Sequence, residues 1–395
     1  MQYFEKMGEI MSSQNKCAVI FGTFINGYGI YRSLRDSGFR GNIYVAEATR
    51  PIYKKTFIEL CTKDIKVIHK VADSTQDVVE ILNQIPEKNK CVFFTAEECM
   101  DFVKEAIEKN LVENVRAYTG AGIGNKYILD KYEFYKLINE HKLGSAPKTI
   151  SSEEDPEKVF GKKYVIRSKQ SWIGSLNTPR ITIVKDLEER RKIETLYEKM
   201  GMKKADWCYQ ELLSVIPQAN LSVVGWYEKG TELFFAHKKI VRFPEKNGTG
   251  CIAEFVEKCP ADPLNQTRRI LKYLDYKGPF ELEFLYDPEE KIYKAIDFNP
   301  RFWMQHELIE KTSEYFMIRK ILGEEISPKS NYNIYYKYWI NTNQTIYKVL
   351  TGHFSLIKYF RSAVRAPGVV KSIKWIIYVL YSKSLGRKNR LGGNK

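Results

Sequence analysis

Residues 326–395 contain no aspartate or glutamate, although they contain 13 lysines and arginines. Residues 1–325 hold the other 50 basic residues together with all 48 acidic residues of the chain. The net charge of +15 therefore belongs almost wholly to the carboxyl-terminal segment and is no property of the rest. That segment needs a separate explanation.

Closely paired cysteines are also missing. The seven cysteines stand at positions 17, 61, 91, 99, 208, 251 and 259, and no two have Cys-x-x-Cys spacing. The spacing indicates neither a zinc knuckle nor a thioredoxin-like pair, so reduced thiols in a cytosolic core are expected. Glu5 and Glu9 stand at the amino terminus without an apolar segment, so no signal peptide is expected. No apolar run approaches the length of a membrane span.

The length of 395 residues and a hydrophobic content of 44% indicate a folded protein of two or three domains. Short apolar strands such as "CAVIFGT" and "CVFFTA" alternate with helical patterns such as "QDVVEILNQI". This alternation predicts a doubly wound, Rossmann-like α/β domain over about residues 15–120. Ligands of such sheets bind at the carboxyl ends of the strands.

The turn after the first strand has glycines at 22, 27 and 29. Their spacing matches neither the dinucleotide fingerprint G-x-G-x-x-G nor a Walker A loop, because Tyr28 stands where the lysine would be. Tight packing of strand against helix and binding of a ligand both explain these glycines.

A β-hairpin is predicted from the stretch "PFELEFLYDPEEKIYKAIDFNPRF", because Asp-Pro-Glu-Glu-Lys at 287–291 favours a turn. Side chains of a strand alternate between its two faces. Glu283 is therefore expected roughly opposite Asp297, with Glu281 and Asn299 on the same polar face. The apolar face is expected to contain Leu282, Phe284, Ile296 and Phe298, and Phe302 beyond the hairpin is expected in the core.

Carboxylates gathered across a strand pair repel each other unless solvent or a cation neutralises them. An all-oxygen set of two carboxylates and one amide suits Mg²⁺ or Mn²⁺ and does not suit zinc. Mg²⁺ held in this way commonly shares phosphate ligands, and Arg301 follows the amide by two residues. A solvated hairpin face with Arg301 in a surface ion pair is the alternative.

Residues 130–144, "DKYEFYKLINEHKLG", predict a helix with Asp130 as N-cap, Glu133 completing a capping box and Gly144 as terminator. Lys131 then stands at the first helical position, where the macrodipole disfavours a cation. A solvated lysine explains this placement, and so does an anion held nearby.

These motifs together resemble the ATP-grasp superfamily, which includes D-alanine–D-alanine ligase, biotin carboxylase and carbamoyl phosphate synthase. The resemblance covers roughly residues 15–325 and is strongest in the hairpin. It implies that Glu283, Asp297 and Asn299 hold the metal and that Arg301 is the catalytic arginine at the reacting phosphate. The family more often has glutamate at the position of Asp297.

The resemblance also implies a set of ATP-binding residues, with either Arg167 or Lys169 replacing the usual lysine of "Val-Val-Lys-Pro". The full set is Lys131, Arg167, Lys169, Gln210, Glu211, Leu212, Leu213, Lys239 and Arg242. The adenine hinge corresponds to "YQELL", with the backbone of the two leucines facing the base. Departures from the family pattern are a lid with Gly174 as its one glycine, and Gln218 and Asn220 near the position of the ribose-binding acid.

The resemblance implies a three-part enzyme. An N-terminal domain (15–120) helps to bind the acceptor, and an ATP-grasp domain (121–325) clamps ATP. The latter has a small lobe at about 145–210 and a large lobe at about 211–325, and a basic helical extension (326–395) follows.

The implied cofactors are ATP and Mg²⁺ or Mn²⁺, and the implied reaction joins a carboxylate to an amine through an acyl phosphate. The alternatives are a kinase-like or carboxylase-like relative, and a degenerate nucleotide-binding module.

The basic extension mixes lysine and arginine with aromatic residues, and helices broken at Pro367 and Gly368 are expected there. A helical addition with a solvated basic face and a peripheral contact of 352–395 with an anionic membrane both explain the charge. Nucleic-acid binding is the least favoured explanation, because no such motif accompanies the charge. Membrane contact would place a cytoplasmic enzyme at the inner membrane face, acting on a small-molecule or saccharide carboxylate and an amine. A homo-oligomer is a further expectation.

Overall fold

A computed structural model describes residues 15–48, 55–170, 172–173, 176–214, 220–243, 249–341 and 363–365. The chain divides into two compact units. Unit 1 comprises residues 1–119, 240–255 and 301–395, and unit 2 comprises residues 120–239 and 256–300. The three-segment division expected from the sequence stays a prediction.

Unit 1 begins with a five-stranded parallel sheet in the order β3-β2-β1-β4-β5. Its strands are β1 (Lys16–Phe21), β2 (Ile43–Glu47), β3 (Lys66–Val71), β4 (Asn89–Phe94) and β5 (Val115–Arg116). Helices α1 (Ile25–Asp36), α2 (Phe57–Cys61), α3 (Thr75–Asn83) and α4 (Met100–Glu108) alternate with them. The parallel α/β architecture predicted from strand–helix alternation is confirmed.

The three glycines after β1 lie in contacts too close for a side chain. A Cβ at Gly22 would lie 1.6 Å from Thr95 Oγ1, and one at Gly27 would lie 2.1 Å from the Gly22 carbonyl oxygen. At Gly29 it would lie 2.6 Å from His306 Cε1. Packing between α1 and its neighbours in unit 1 therefore accounts for these glycines.

The remaining elements of unit 1 come from later parts of the chain. They are β15 (Thr249–Val256), α10 (Glu307–Glu310), α11 (Phe316–Ile321), β18 (Tyr338–Ile340) and β19 (Ala363–Arg365), with β18 pairing to β15 and β19. The segment 363–365, where a helix was predicted, is a strand. The other helices predicted for the extension lie outside the described residues.

Unit 2 contains a four-stranded antiparallel sheet in the order β11-β8-β12-β7. Its strands are β7 (Thr149–Ser151), β8 (Tyr164–Ser168), β11 (Ile181–Val184) and β12 (Trp207–Glu211). A two-stranded ribbon of β9 (Trp172–Ile173) and β10 (Leu176–Asn177) lies between them in sequence. Helices α5 (Lys126–Leu129), α6 (Lys131–Glu140), α7 (Pro156–Phe160) and α8 (Leu187–Lys199) belong to the same unit.

The second sheet of unit 2 carries the polar hairpin. Its order is β17-β16-β13-β14, with β6 (Gly120–Ala121) pairing to β16. The strands are β13 (Asn220–Glu228), β14 (Thr231–Phe243), β16 (Tyr276–Asp287) and β17 (Ile292–Asn299), and α9 (Ala261–Tyr273) precedes the hairpin. The β16–β17 hairpin turns where the sequence predicted, and the fold combines parallel and antiparallel sheets as expected.

Helix α6 packs its apolar face against this second sheet. Phe134, Leu137 and Ile138 share one buried core with Leu282 and Phe298. The predicted N-cap is confirmed, because the Asp130 carboxylate accepts hydrogen bonds from the backbone N–H groups of Tyr132 and Glu133. The helix ends at Glu140, four residues before the predicted terminator.

All seven cysteines are free, and six of them are buried. No helix among the described residues is long and apolar enough to cross a bilayer.

A buried acid in unit 1 gives a stability prediction. Glu310 is 2% exposed, and neither of its carboxylate oxygens has a hydrogen-bond partner among the described residues. Burial, with a smaller effect from the Glu307 charge, raises its pKa well above the usual value. The native state thus keeps a proton that the unfolded chain releases above about pH 4.3.

Wild-type stability should fall relative to Glu310→Gln by up to about 1.4 kcal/mol per pH unit, from about pH 4.3 up to the raised pKa. Thermal unfolding from pH 4 to pH 9 measures this difference. Glu325→Gln removes the same charge at an exposed position and should leave the pH profile unchanged. Parallel profiles for the wild type and Glu310→Gln would contradict the prediction.

Candidate functional site

The polar hairpin face has the register that the sequence predicted. Glu283 pairs directly with Asp297, and Glu281 pairs with Asn299. Paired residues on adjacent antiparallel strands have Cβ atoms about 4.5–5.5 Å apart. The three carboxylates and the amide therefore occupy one compact area of unit 2.

A β-bulge interrupts the register directly after Glu283, where Phe284 pairs with Ala295. The sequence prediction put Ile296 on the core face, but Ala295 is the fully buried member of the core and Ile296 is half-buried outside it. A bulge inserts one extra residue and shifts the alternation, which explains the difference. It also leaves the Ile296 carbonyl oxygen available to other partners.

Two side chains donate hydrogen bonds to the Ile296 carbonyl oxygen. The Tyr135 hydroxyl donates to it at 2.5 Å, and Arg167 Nη2 donates to it at 3.1 Å. The Arg167 guanidinium also lies 5.4 Å from the centroid of the Tyr135 ring. These contacts hold a buried cation beside the residue that precedes Asp297.

Asp297 is neutralised by two basic residues from other elements. Lys131, at the start of α6, forms an ion pair with its carboxylate. Burial raises the pKa of Asp297, but the charges of Lys131 and Arg167 outweigh burial and leave the pKa below its usual value. Lys131 therefore lies at the helix N-terminus with an anion beside it, as one sequence interpretation required.

Glu283 and Glu281 share Lys239, which lies on β14. Lys239 Nζ forms an ion pair with Glu283 and lies 3.8 Å from Glu281 Oε1. Asn220 donates a 3.4 Å hydrogen bond to Glu283. Asn220, which stands near the position expected for the ribose-binding acid, therefore contacts a candidate metal ligand. The predicted phosphate ligand Lys239 thus lies within the carboxylate cluster.

Glu281 is the most completely surrounded acid of the cluster, and sequence reasoning did not assign it a role. It accepts from Ser222 Oγ at 3.0 Å and from Asn299 Nδ2 at 2.9 Å, and His237 Nε2 lies 3.3 Å away. Burial raises its pKa, but Lys239 and His237 outweigh burial and lower the pKa to about 2. It stays ionised at neutral pH.

The sequence contained a signal that places His237 in this cluster. His237 precedes Lys239 by two residues on the same strand and so lies on the same face. The pairing of β13 with β16 places Ser222 opposite Glu283. Glu281 lies two residues before Glu283 on the same face of β16, so Ser222 is close to both glutamates. Only the folded sheet shows that Ser222 donates to Glu281 and not to Glu283.

The two candidates for the usual ATP lysine have different surroundings. Arg167 is 8% exposed and contacts the hairpin, as described above. Lys169 lies 5.0 Å from the centroid of the Tyr132 ring, and its carbonyl oxygen accepts from the backbone N–H of Lys131. Arg167 is therefore the one of the two with a side-chain hydrogen bond to the hairpin.

The predicted adenine hinge lies at the end of β12. Gln210 is buried and donates to Thr149 Oγ1, whereas Glu211 accepts from the backbone N–H of Lys148 and from Lys294 Nζ. Leu212 is exposed and Leu213 is half-buried directly after the strand. The adenine-binding role expected for the backbone of these two leucines stays a prediction.

Lys294 was absent from the sequence predictions, although it is 4% exposed and lies on β17. Besides Glu211, it forms ion pairs with Asp287 at 3.0 Å and Glu290 at 2.7 Å. It thereby ties the hinge end of β12 to the hairpin turn within unit 2.

Two predicted site residues belong to unit 1. Arg301 Nε donates to Glu97 Oε2 at 2.6 Å, in the turn that follows β4, and Nη1 donates to the Phe302 carbonyl. Arg242 is half-buried in the last part of β14. Phe302 is fully buried, as the sequence predicted. Gly174 and Gln218 lie outside the described residues.

No group of three or more His, Cys, Asp and Glu side chains in the described part of the chain is arranged to hold a metal ion. The hairpin carboxylates are paired with lysines instead, Asp297 with Lys131 and the two glutamates with Lys239. Mg²⁺ needs one or two carboxylates when phosphate oxygens complete its coordination. The oxygen-only donors Glu283, Asp297 and Asn299 meet this requirement by chemistry and register.

No protein-family model and no curated protein matches this sequence. Among solved structures, an N5-carboxyaminoimidazole synthase from Aspergillus clavatus, in complex with ADP and 5-aminoimidazole ribonucleotide, is similar with a TM-score of 0.56. The identity is 13%, and the match covers 80% of this chain and 78% of that one. Rhizobium etli pyruvate carboxylase, with acetyl coenzyme A, matches 78% of this chain at a TM-score of 0.56 and 12% identity. The match spans only 28% of the carboxylase.

Proposed function

We propose that this chain, which has the ATP-grasp fold shared by both of these enzymes, is an ATP- and Mg²⁺-dependent carboxylate–amine ligase. It would form an amide through an acyl-phosphate intermediate and release ADP and phosphate. The observation that carries the proposal is the cross-strand pair of Glu283 and Asp297, flanked by Lys239, Lys131 and Arg167.

That arrangement suits phosphoryl transfer. Such a reaction needs positioning and charge neutralisation more than covalent chemistry from the protein. Three basic side chains around three carboxylates provide donors for phosphate oxygens and acceptors for a divalent cation. No buried nucleophile is required, and the buried cysteines have raised pKa values where a shift is resolved, which keeps those thiols protonated.

Each side chain has a distinct part in the proposed reaction. Glu283, Asp297 and Asn299 would hold Mg²⁺, which neutralises charge on the transferred phosphoryl group. Lys131, Arg167 and Lys239 would bind and orient phosphate oxygens. Glu281 would fix the positions of Lys239 and Asn299, because it contacts both.

Arg301 and the hinge complete the proposal. Arg301 would stabilise the reacting phosphate, and the contact with Glu97 orients its guanidinium. The backbone of Leu212 and Leu213 would receive the base, beside Gln210 and Glu211. Lys169 and Arg242 stay candidates for further phosphate contacts.

The substrates are proposed only by class. A small-molecule or saccharide carboxylate and an amine fit the reaction, and a saccharide at an anionic membrane would give the basic extension a purpose. Most of 352–395 lies outside the described residues.

Incubation with ATP, Mg²⁺ and pooled carboxylic acids and amines tests this function. Amine-dependent ADP release and a condensation product detected by mass spectrometry are expected. Arg301→Ala should lose ADP release, whereas Arg319→Ala, which removes an arginine from a partly exposed ion pair with Glu324, should retain it. A phosphorylated acid without an amide would indicate a kinase-like enzyme. Absence of Mg²⁺-dependent ATP binding by calorimetry would indicate a degenerate module.

A further inference from the structure

A polar cavity lies in unit 1, at the amino ends of β1, β4 and β5. Its volume is about 540 Å³, within the range of small-molecule sites. The carboxyl ends of these strands, where ligands of parallel sheets normally bind, are at the opposite edge. None of the predicted metal-binding or ATP-binding residues lies at this edge.

Strand register places two basic residues on one face of this edge. Lys16 pairs with Asn89, and Cys91, two residues farther along β4, pairs with Arg116. Side chains two residues apart share a face, so all four lie on the same side of the sheet. Lys90 lies between them in sequence and points to the opposite face.

Both positive charges affect the buried Cys91 thiol in the cavity lining. Cys91 is 3% exposed, and burial raises its pKa, while Lys16 and Arg116 partly counteract that increase. Cys91 lies between the two cations in the strand register, and all three residues line the cavity.

Both cations are also held in position by the turn after α11. Lys16 Nζ donates to the Leu322 carbonyl oxygen at 2.8 Å, which leaves two further N–H donors on the ammonium group. A Cβ at Gly323 would lie 3.0 Å from Arg116 Cζ, so the guanidinium packs directly over this glycine. Gly323 has φ of +88°, a conformation that glycine adopts without strain.

The cavity lining contains three basic residues and no acidic residue among those described. The described part of the lining is Lys16, Asn89, Lys90, Cys91, Ile107, Asn114, Val115, Arg116, Ala117, Tyr118, Leu322 and Gly323. The hairpin cluster differs in this respect, since each of its lysines lies on a carboxylate. Here the lining offers donors and positive charge without an internal counter-ion.

We propose that this cavity binds a phosphate group, held between Lys16 and Arg116 with the Asn89 amide as a further donor. Arginine provides two parallel N–H donors that match a phosphate, and lysine adds a point charge. The volume of about 540 Å³ accommodates inorganic phosphate or a small phosphomonoester. The site lies in unit 1, whereas the hairpin belongs to unit 2.

Isothermal titration calorimetry of the full chain with inorganic phosphate and with glycerol phosphate, at constant ionic strength, tests the site. Arg116→Gln should weaken binding about ten- to a hundredfold, because a charge-assisted bidentate contact is lost. Lys63→Gln, at an exposed position outside the cavity lining, should change it by about twofold or less. Tighter binding of glycerol phosphate would identify a phosphomonoester, and equal binding would identify the phosphate group itself.

Asn89→Asp, at an exposed position, adds a negative charge to the proposed face and should weaken binding as well. It gives a second readout if Arg116→Gln folds poorly. Equal losses in Lys63→Gln and Arg116→Gln would overturn the proposal in favour of a diffuse positive field. Loss of phosphate binding in Arg167→Ala with retention in Arg116→Gln would overturn it in favour of the ATP site.

Discussion

Asp297→Asn is expected to reduce ADP release by about a hundred- to ten-thousandfold, while the protein remains folded. The substitution removes one carboxylate from a site where a metal would stabilise transition-state charge by several kcal/mol, and each 1.36 kcal/mol is tenfold in rate. It also leaves Lys131 without its acidic partner. Because asparagine has nearly the same shape, the core around Phe298 should not change.

Steady-state ADP release at saturating ATP measures this effect. Glu289→Gln, in the exposed turn of the same hairpin, is the matched control and should keep full activity. Asp297→Glu introduces the residue that the resembling family more often has, and it should retain much of the activity. Full activity in Asp297→Asn would show that this carboxylate has no part in the reaction.

Lys239→Met is expected to destabilise the protein by about 3–5 kcal/mol. The substitution leaves two carboxylates, Glu281 and Glu283, without their shared cation, and removal of one partner from a buried ion pair has an effect of this size. Glu281 is 3% exposed, so water cannot replace the lost charge. Urea unfolding monitored by circular dichroism measures the change.

The pH dependence follows from the pKa of Glu281, which is lowered to about 2 in the native state. A lowered folded-state pKa stabilises the protein above the unfolded value of about 4.3, and this stabilisation is lost as pH falls toward 2. The difference between wild type and Lys239→Met should therefore be full at pH 7 and smaller near pH 3.

Two further variants show whether the effect is specific. Lys238→Met removes the same charge on the opposite face of β14 and should cost about 1 kcal/mol or less. Adding Glu281→Gln to Lys239→Met should recover part of the lost stability, because one unpaired charge is removed. Equal effects of Lys238→Met and Lys239→Met would contradict the buried ion pair.

Local patterns determined most of the fold. The alternation of polar and apolar residues around the turn at 287–291 predicted that Glu283 faces Asp297, and the register is as predicted. The position of Asp130 before an amphipathic run predicted the N-cap of α6 in the same way. Such features depend on residues a few positions apart, so the periods of strand and helix are sufficient to define them.

Partners distant in sequence were decided only by the tertiary structure. The sequence left Arg167 and Lys169 as equal candidates for the ATP lysine. In the structure Arg167 donates to the Ile296 carbonyl oxygen, whereas Lys169 lies over the Tyr132 ring. Lys239 could be assigned to phosphate but not to Glu281 and Glu283, and Arg301 could not be assigned to Glu97. The sequence by itself thus determined which side chains share a strand face. The oppositely charged partner of each side chain depends on strands and turns that come from distant parts of the chain. Burial then makes the pairing necessary, because an unpaired buried charge is strongly destabilising.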